Sequence, residues 1–569
     1  MNIKIPVWWL REYVKTDVSA KTIANLLSLA GPSIEKVTKR GEDWIFEVEV
    51  TTNRADAFSV WGLAREAWAI LAWEGQKAQL VKPKGLNLAL EPDTSPLLPL
   101  EVTIKDRGLC PRFTAIIVEG VKIRPSPAII RNRLEAAGIR SINNIVDITN
   151  YLMLELGQPM HTFDWDKIKG AKMILRAARE GEKIKTLDGQ TRKLPKGAIV
   201  IEDSEKLIDL AGIMGGANSQ ITRRTRRVVL FVQAYDRQTI RKTTQALGFR
   251  TEAASRFEKG VDLEAIPQAL ARAVYLAKKT AGAKIASELI DIYYRKPKAK
   301  QVEIGLAKVN QYLGINLKPQ MATRILESLG FMVKLSDQKI KAEIPSWRLW
   351  DIEDGVDLVE EIARIYGYWR LPQKIPTGQI PVEEDSSLEG IISLKNALKY
   401  LGLVEIISYS IIPKEFLELA GAEEKKSVEL TNPLTSEWQF MRPTLLISLV
   451  DVIAKNQNIR QNLKVFEIAK TYVKQDNDLP KQDLMLSIAL QNGDFYQIKG
   501  IIENVLGILN HEARWQELTV KSALFAKGES AQIVINGHKV GQVGMLDTRI
   551  CNYFGIEGPI AVCEINLTT

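Results

Sequence analysis

Cysteine is nearly absent from this 569-residue chain. Cys110, Cys551 and Cys563 are its three, too few and too scattered for a disulfide framework or a zinc knuckle. A reducing compartment fits that scarcity. No stretch approaches the ~18 consecutive apolar residues of a membrane span. The opening MNIKIPVWWLREYV puts Lys4, Pro6, Arg11 and Glu12 where a secretory signal needs an uninterrupted apolar run. The expectation is a cytoplasmic protein with no membrane partner. Internal repeats, low-complexity segments and a phosphate-cradling P-loop are also missing.

What is present is ordinary for a globular chain: 46% hydrophobic and 25% charged residues. The length implies roughly three to five domains, since single cores stop growing near ~250–300 residues. A net charge of +9 favours a polyanionic partner, although so modest an excess also serves solubility. Arg223, Arg224, Arg226 and Arg227 form one basic group, and Arg295, Lys296, Lys298 and Lys300 another around Pro297. Each reads more readily as a solvated turn or linker than as a binding patch.

Breaks in periodicity divide the chain. Pro83, Gly85, Pro92 and Pro96 end a first unit at about residue 85. Within it WIFEVEVT alternates as a strand, and Phe58 to Trp73 reads as a helix with Trp61, Ala64, Ala67, Trp68 and Leu71 on one face. Asp56 in TNRADAF lies before that helix, where it complements the dipole. A second unit, 105–290, mixes strands such as FTAIIVEGV and AIVIED with helices at 126–137 and 264–280, and RKPKAK follows as a linker. Residues 300–371 make a small α/β unit with a helix at 318–330, a strand KAEIP and an acidic helix at 355–366. LPQKIPTGQIPVEEDSS is the third boundary. The last unit, 388–569, alternates helix and strand and includes a glycine-turned hairpin, NGHKVGQVGML. The fold class is α+β, multidomain.

The most informative segment is DITNYLMLELGQPMHTFD, residues 147–164. Ile145, Ile148, Leu152 and Leu156 fall at helical spacing, Gly157 supplies a left-handed stop and Pro159 prevents a restart, so His161 is expected on the loop beyond. Asn150 inside such a helix costs up to ~0.7 kcal/mol against alanine and is a candidate for a task. Thr149, Asn150 and His161 then form a polar cluster over an apolar floor. Local capping explains an asparagine and a histidine near a helix end equally well.

Two further constellations stand out. In PSWRLWDIEDGVDLVEEIARIYGY, Asp357, Glu360 and Glu361 share a helix face at i, i+3 and i+4, and Asp351 precedes them by a loop. The cluster is either a solvated face with Glu360 paired to Arg364, or an all-oxygen site suited to Mg²⁺. LIDLAGIMGGANSQIT carries Gly212, Gly215 and Gly216, which admit a close backbone approach to a phosphate, ribose or aminoacyl group, or make a tight turn.

The string DITNYLMLELGQPMHTFD resembles the editing domain of the bacterial phenylalanine–tRNA ligase beta subunit, and four more segments resemble the same family in the same order. The resemblance implies an N-terminal B1-type domain (1–85), a B3/B4-type editing domain (105–290), a B5-type domain with an acidic metal cluster (300–371) and a catalytically inactive class II synthetase-like antiparallel sheet domain (388–569). It implies Mg²⁺ at Asp351, Asp357, Glu360 and Glu361. It also implies an editing pocket of Thr149, Asn150 and His161, walled by Ala211, Gly212 and Ala253. Phe466 and Glu467 on VFEI read as scaffold, with no arginine placed to clamp ATP, and no paired class I synthetase signatures appear. ATP would therefore be bound by a separate alpha subunit, in an α2β2 complex acting on tRNAPhe.

Phenylalanine and tyrosine differ by one hydroxyl, which an apolar pocket rejects by only about 10², so a second, hydrolytic site is needed. In the family the position facing the tyrosine hydroxyl usually holds glutamate; here it is Phe231, which accepts no hydrogen bond, and tyrosine discrimination is expected to be weakened or lost. The resemblance also implies a compact form: SIEKVTKRGEDWIFEVEV runs through the place of the family's oligonucleotide-binding insertion, and EINLTT precedes its anticodon-binding module. Two rival readings are a free-standing editing factor and a noncatalytic nucleic-acid-binding or assembly protein.

Overall fold

Alternation of apolar and polar residues in NIKIP and DWIFEVE dictates a half-buried strand pair. Asn2–Pro6 runs antiparallel to Asp43–Glu49, with Ile3 opposite Val48 and Ile5 opposite Phe46, all four buried. Ser33–Arg40 completes a three-stranded sheet through a hairpin that turns at Gly41, whose φ is +62°. In this computed structural model, residues 2–294, 296–375, 377–378, 386–476, 478–518 and 522–568 are described, in two units, 1–375 and 376–569. Arg295 of the second basic group and residues 376 and 379–385 of the third proline-rich boundary lie outside the described residues.

The first unit has one continuous core running from Ile3 to Ile365. Two five-stranded sheets form its centre. One orders Met214–Gly215, Leu207–Leu210, Ile199–Glu202, Lys172–Ala177 and Glu101–Ile104. In the other, Arg112–Glu119 pairs with Val228–Ala234, which pairs in turn with Met160–Asp164, while Lys284–Ile285 and Ile290–Tyr293 lie along the opposite edge of Arg112–Glu119. Val228–Ala234 is buried at all seven positions, as its unbroken VVLFVQA requires of a central strand covered on both faces. Helix Ile266–Ala281 covers this sheet, and Val146–Leu156 packs between that helix and the strand Met160–Asp164.

A three-stranded antiparallel sheet (Gln301–Gly305, Lys339–Glu343, Met332–Ser336) with helices Leu306–Leu313, Pro319–Ser328 and Gly355–Tyr366 follows. The last helix packs on Val60–Trp73.

The second unit is a seven-stranded sheet in the order Val404–Glu405, Lys464–Val473, Lys481–Gln491, Ile560–Asn566, His538–Leu546, Phe525–Ile535, Arg514–Glu517, antiparallel except at the first pair. Period-2 alternation splits its strands between two cores: Phe466, Leu486 and Ile488 face the helix Phe495–Ile508, whereas Val465, Ala489 and Val562 face Leu446–Asn456. No helix among the described residues is long and apolar enough to cross a membrane.

Candidate functional site

Gly157 ends the helix Val146–Leu156 in the left-handed conformation, φ +74°, and fits there because a Cβ would come within 3.3 Å of Ser59. The chain then enters a strand at once. His161 is the second residue of Met160–Asp164, not a loop residue, because MHTFD finds an unpaired strand edge at Val228–Ala234. In this register His161 lies directly opposite Phe231.

The imidazole is half-buried among rings. It meets Phe163 edge-on at 5.1 Å and Phe231 at 5.8 Å between centroids, and Phe231 stacks in turn on Phe113 at 5.6 Å. From the other sheet Gly215 closes on it: a Cβ there would stand 2.2 Å from His161 Nε2. Burial pulls the imidazole down to about 4, so it is neutral at physiological pH and offers one donor and one acceptor nitrogen without charge.

The other residues expected in the editing pocket fall into two groups. Thr149 is buried and its hydroxyl donates to the Val146 carbonyl at 2.7 Å, a back-bond inside its own helix. Asn150 is half-buried and its side chain makes no hydrogen bond among the described residues. Ala211 is buried, Gly212 has φ +75° and faces Tyr235, Ile240 and Phe257, and Ala253 is half-buried on the short helix Glu252–Phe257. Phe231 is completely buried.

Sequence reasoning missed several buried polar groups nearby. Asp209, 3% exposed, stands one strand from Gly215, and burial raises its carboxyl to about 7. Glu155, inside the informative segment, takes both Arg272 Nε (2.9 Å) and Nη2 (2.8 Å) and the Tyr13 hydroxyl. A glutamate flanked by Leu154 and Leu156 in the apolar run LMLEL was the available signal.

The acidic cluster does not converge as expected. Glu361 receives Arg348 at 2.8 and 2.9 Å and Arg364 at 2.9 and 2.6 Å. Asp351 is held by the Nε of the same Arg348 at 2.9 Å, Asp357 accepts the backbone N–H groups of Glu353 and Asp354 at 2.6 and 3.0 Å, and Glu360 is exposed. Arg364 continues to Glu66 at 2.6 Å, and Glu66 to Arg54 at 2.5 Å. Among the described residues no three His, Cys, Asp or Glu side chains gather as metal ligands. Asp351, Asp357 and Glu361 are taken by guanidinium and backbone groups and Glu360 alone faces solvent, so this arrangement does not fit a magnesium ion. Asp56 does lie in the turn before the helix Val60–Trp73, where Arg54 also holds it with both Nε and Nη2 at 2.9 Å.

An arginine does reach Glu467 in the second unit. Arg442, 2% exposed, contacts Glu467 at 3.1 Å and the Ser408 hydroxyl at 2.7 Å, a closed buried pair that acts as scaffold. The basic group at 223–227 is a turn in which Arg227 pairs with Asp166 and lies over Trp165, leaving Arg223 and Arg224 exposed.

Three family models match the chain: B3/4 domain over residues 109–282, tRNA synthetase B5 domain over 302–368, and phenylalanyl tRNA synthetase beta chain CLM domain over 371–567. The chain is 38% identical over 557 residues to the phenylalanine–tRNA ligase beta subunit of Carboxydothermus hydrogenoformans, covering 94% of this chain and 68% of that one. To the same-named protein of Fusobacterium nucleatum it is 37% identical, covering 92% and 67%. A solved N-terminal fragment of the phenylalanyl-tRNA synthetase beta subunit from Pyrococcus horikoshii is 17% identical with a TM-score of 0.37, covering 64% of this chain and 99% of the fragment.

Proposed function

The chain belongs to the phenylalanine–tRNA ligase beta-subunit family, and from that premise we propose that it is the non-adenylating half of a cytoplasmic α2β2 ligase. A separate alpha subunit activates phenylalanine with ATP, and this chain supports transfer to tRNAPhe. The observation that carries the reading is similarity across more than nine-tenths of the chain. The buried Arg442–Glu467 pair supports it too, because a guanidinium locked 2% exposed is not offered to a triphosphate. Aminoacylation of tRNAPhe with and without the cognate alpha subunit tests this. Charging only by the pair is expected, and adenylate formation by this chain alone would overturn it.

The editing pocket is the finer part of the proposal. Neutral His161 positions water or the ester by hydrogen bonding, Thr149 and Asn150 orient the aminoacyl end, and Ala211, Gly212 and Ala253 wall the cavity. No covalent nucleophile is required. Phe231 presents an aromatic ring where a tyrosine hydroxyl needs an acceptor, so hydrolysis discriminates poorly between Tyr-tRNAPhe and Phe-tRNAPhe. Deacylation of both esters by the wild type and His161→Ala measures it. Fast, tyrosine-selective hydrolysis that survives the substitution would remove the site assignment.

A further inference from the structure

A cavity of about 560 Å³ lies within the first unit, walled by the helix Val60–Trp73, residues 82–88, the turn Leu156–Gln158, residues 256–268 and Ser346–Trp350. Its size suits a small organic molecule. None of the expected editing or magnesium residues lines it.

The charges in its wall are unevenly matched. Its carboxylates are engaged: Asp56 by Arg54 at 2.9 Å, Glu264 by the Tyr293 hydroxyl at 2.9 Å and Arg112 at 3.6 Å, and Asp262 by the Ser346 hydroxyl and the Glu264 N–H at 2.9 Å each. Its buried cations are only partly so. Lys259 is 7% exposed and its Nζ has no hydrogen bond among the described residues. Arg256, 3% exposed, spends Nη1 on Glu252 while Nε and Nη2 stay unpartnered, and the Nε of Arg65 is also unpartnered. Buried Gln158 donates to the Asp262 carbonyl at 2.8 Å and leaves Oε1 without a donor. Buried polar groups are normally satisfied, and buried cations above all, so several orphans around one cavity mark where an anion completes them.

The same wall is aromatic. Arg65 lies 4.2 Å over Trp347 and 5.9 Å from Trp61, Arg256 and Lys259 both lie over Phe58 at 4.4 and 5.1 Å, and Trp350 also lines the cavity. Such faces suit a nucleobase, which stacks without regard to sequence. Burial holds the Lys259 amine and the Arg65 and Arg256 guanidinium groups below their ordinary ranges, as expected of cations awaiting a counter-charge.

We propose that this cavity is a nucleotide site, with the phosphate received by Lys259, Arg256 and Arg65 and the base laid against the tryptophan faces. Gln158 Oε1 takes a base amino or ribose hydroxyl donor. A free nucleotide and one unit of a single-stranded RNA share this chemistry. Hydrolysis at His161 is not a premise, and binding is read directly.

The test uses the full chain and four probes: inorganic phosphate, adenosine and cytidine 5′-monophosphates, and a short single-stranded oligoribonucleotide. Binding is followed by thermal shift and by tryptophan fluorescence. Expected is a raised melting temperature with a nucleotide or the oligoribonucleotide, and little with phosphate alone. Lys259→Met should weaken that binding at least ~10-fold while raising the melting temperature of the unliganded chain, because it removes an orphan buried charge. Trp350→Ala, at the half-exposed rim, should weaken binding with folding intact and serves where the lysine variant does not fold. Response to monophosphates identifies a free nucleotide; response to the oligoribonucleotide alone identifies an RNA unit. No response to either, equal response to phosphate, or binding unaffected by both substitutions overturns the proposal.

Discussion

His161 and Phe231 face each other across two antiparallel strands, their rings meeting edge to face at 5.8 Å. The imidazole is thereby held in an apolar setting that keeps it neutral, and position 231, which we propose faces a substrate's phenol, carries only carbon. Phe231→Glu restores an acceptor there. The expected outcome is a gain of at least ~10-fold in Tyr-tRNAPhe deacylation over Phe-tRNAPhe. Because the side chain replaced is fully buried on Phe113 and Phe163, a loss of about 3 kcal/mol or more by chemical denaturation should accompany it. An unchanged ester preference in a folded variant would mean that position 231 does not face the aminoacyl group.

Gly215 is the second lever on the histidine. A methyl group there would stand 2.2 Å from Nε2, and the ring must swing away or the two sheets part. Gly215→Ala should cost about 1–3 kcal/mol and remove whatever deacylation His161 supports. Gly41→Ala, in a turn with nothing within 4 Å, is the control: it strains a left-handed backbone yet should leave hydrolysis unchanged.

Asp209 makes stability depend on pH. Its carboxyl titrates at about 7 in the folded protein against 3.8 for the free group, so between those values the native state binds the extra proton. Stability from this residue is complete below pH 3.8 and is lost as pH rises through 7, by roughly 4 kcal/mol. Asp209→Asn should match the wild type within ~1 kcal/mol at pH 4 and exceed it at pH 8. Denaturation midpoints across that range decide it, and parallel curves for the two proteins would contradict the assignment.

Glu361 is fixed by two arginines, and neither needs a metal. Removing Mg²⁺ with a chelator should leave the melting temperature of the isolated chain unchanged, whereas Glu361→Gln should cost about 3 kcal/mol by taking from Arg348 and Arg364 the charge they share, leaving Arg348 with Asp351 alone and Arg364 with Glu66 alone. A melting temperature that falls on chelation would restore the carboxylates as metal ligands.

Much of the architecture is written in local patterns. The period-2 run in DWIFEVE, the helical faces of Val60–Trp73 and Gly355–Tyr366 and the Gly537 hairpin all appear where spacing and turn chemistry place them. The strand at Met160–Asp164 was illegible because MHTFD has no alternation of its own; its identity comes from the free edge of a strand nearly seventy residues later. The acidic helix misled for a related reason. Asp357, Glu360 and Glu361 have the spacing of one face, yet Glu360 is exposed while Glu361 is buried between Arg364 of its own helix and Arg348 from the preceding turn, and spacing along one helix does not report which cation claims a carboxylate. Lys259 and Arg256 in RFEKG read as an ordinary charged stretch until the fold buries them.

The chain of charges Arg54–Glu66–Arg364–Glu361–Arg348 ties the N-terminal helix Val60–Trp73 to the helix Gly355–Tyr366, nearly three hundred residues away. Severing the polypeptide at the lysine-rich connector around residues 296–300 would part Glu66 from Arg364, leaving Glu66 with Arg54 alone in one fragment and Arg364 with Glu361 alone in the other. Domain-by-domain dissection of the first unit should therefore yield fragments that aggregate when expressed apart and regain solubility when co-expressed. The two segments form one inheritance, to be recombined or lost together.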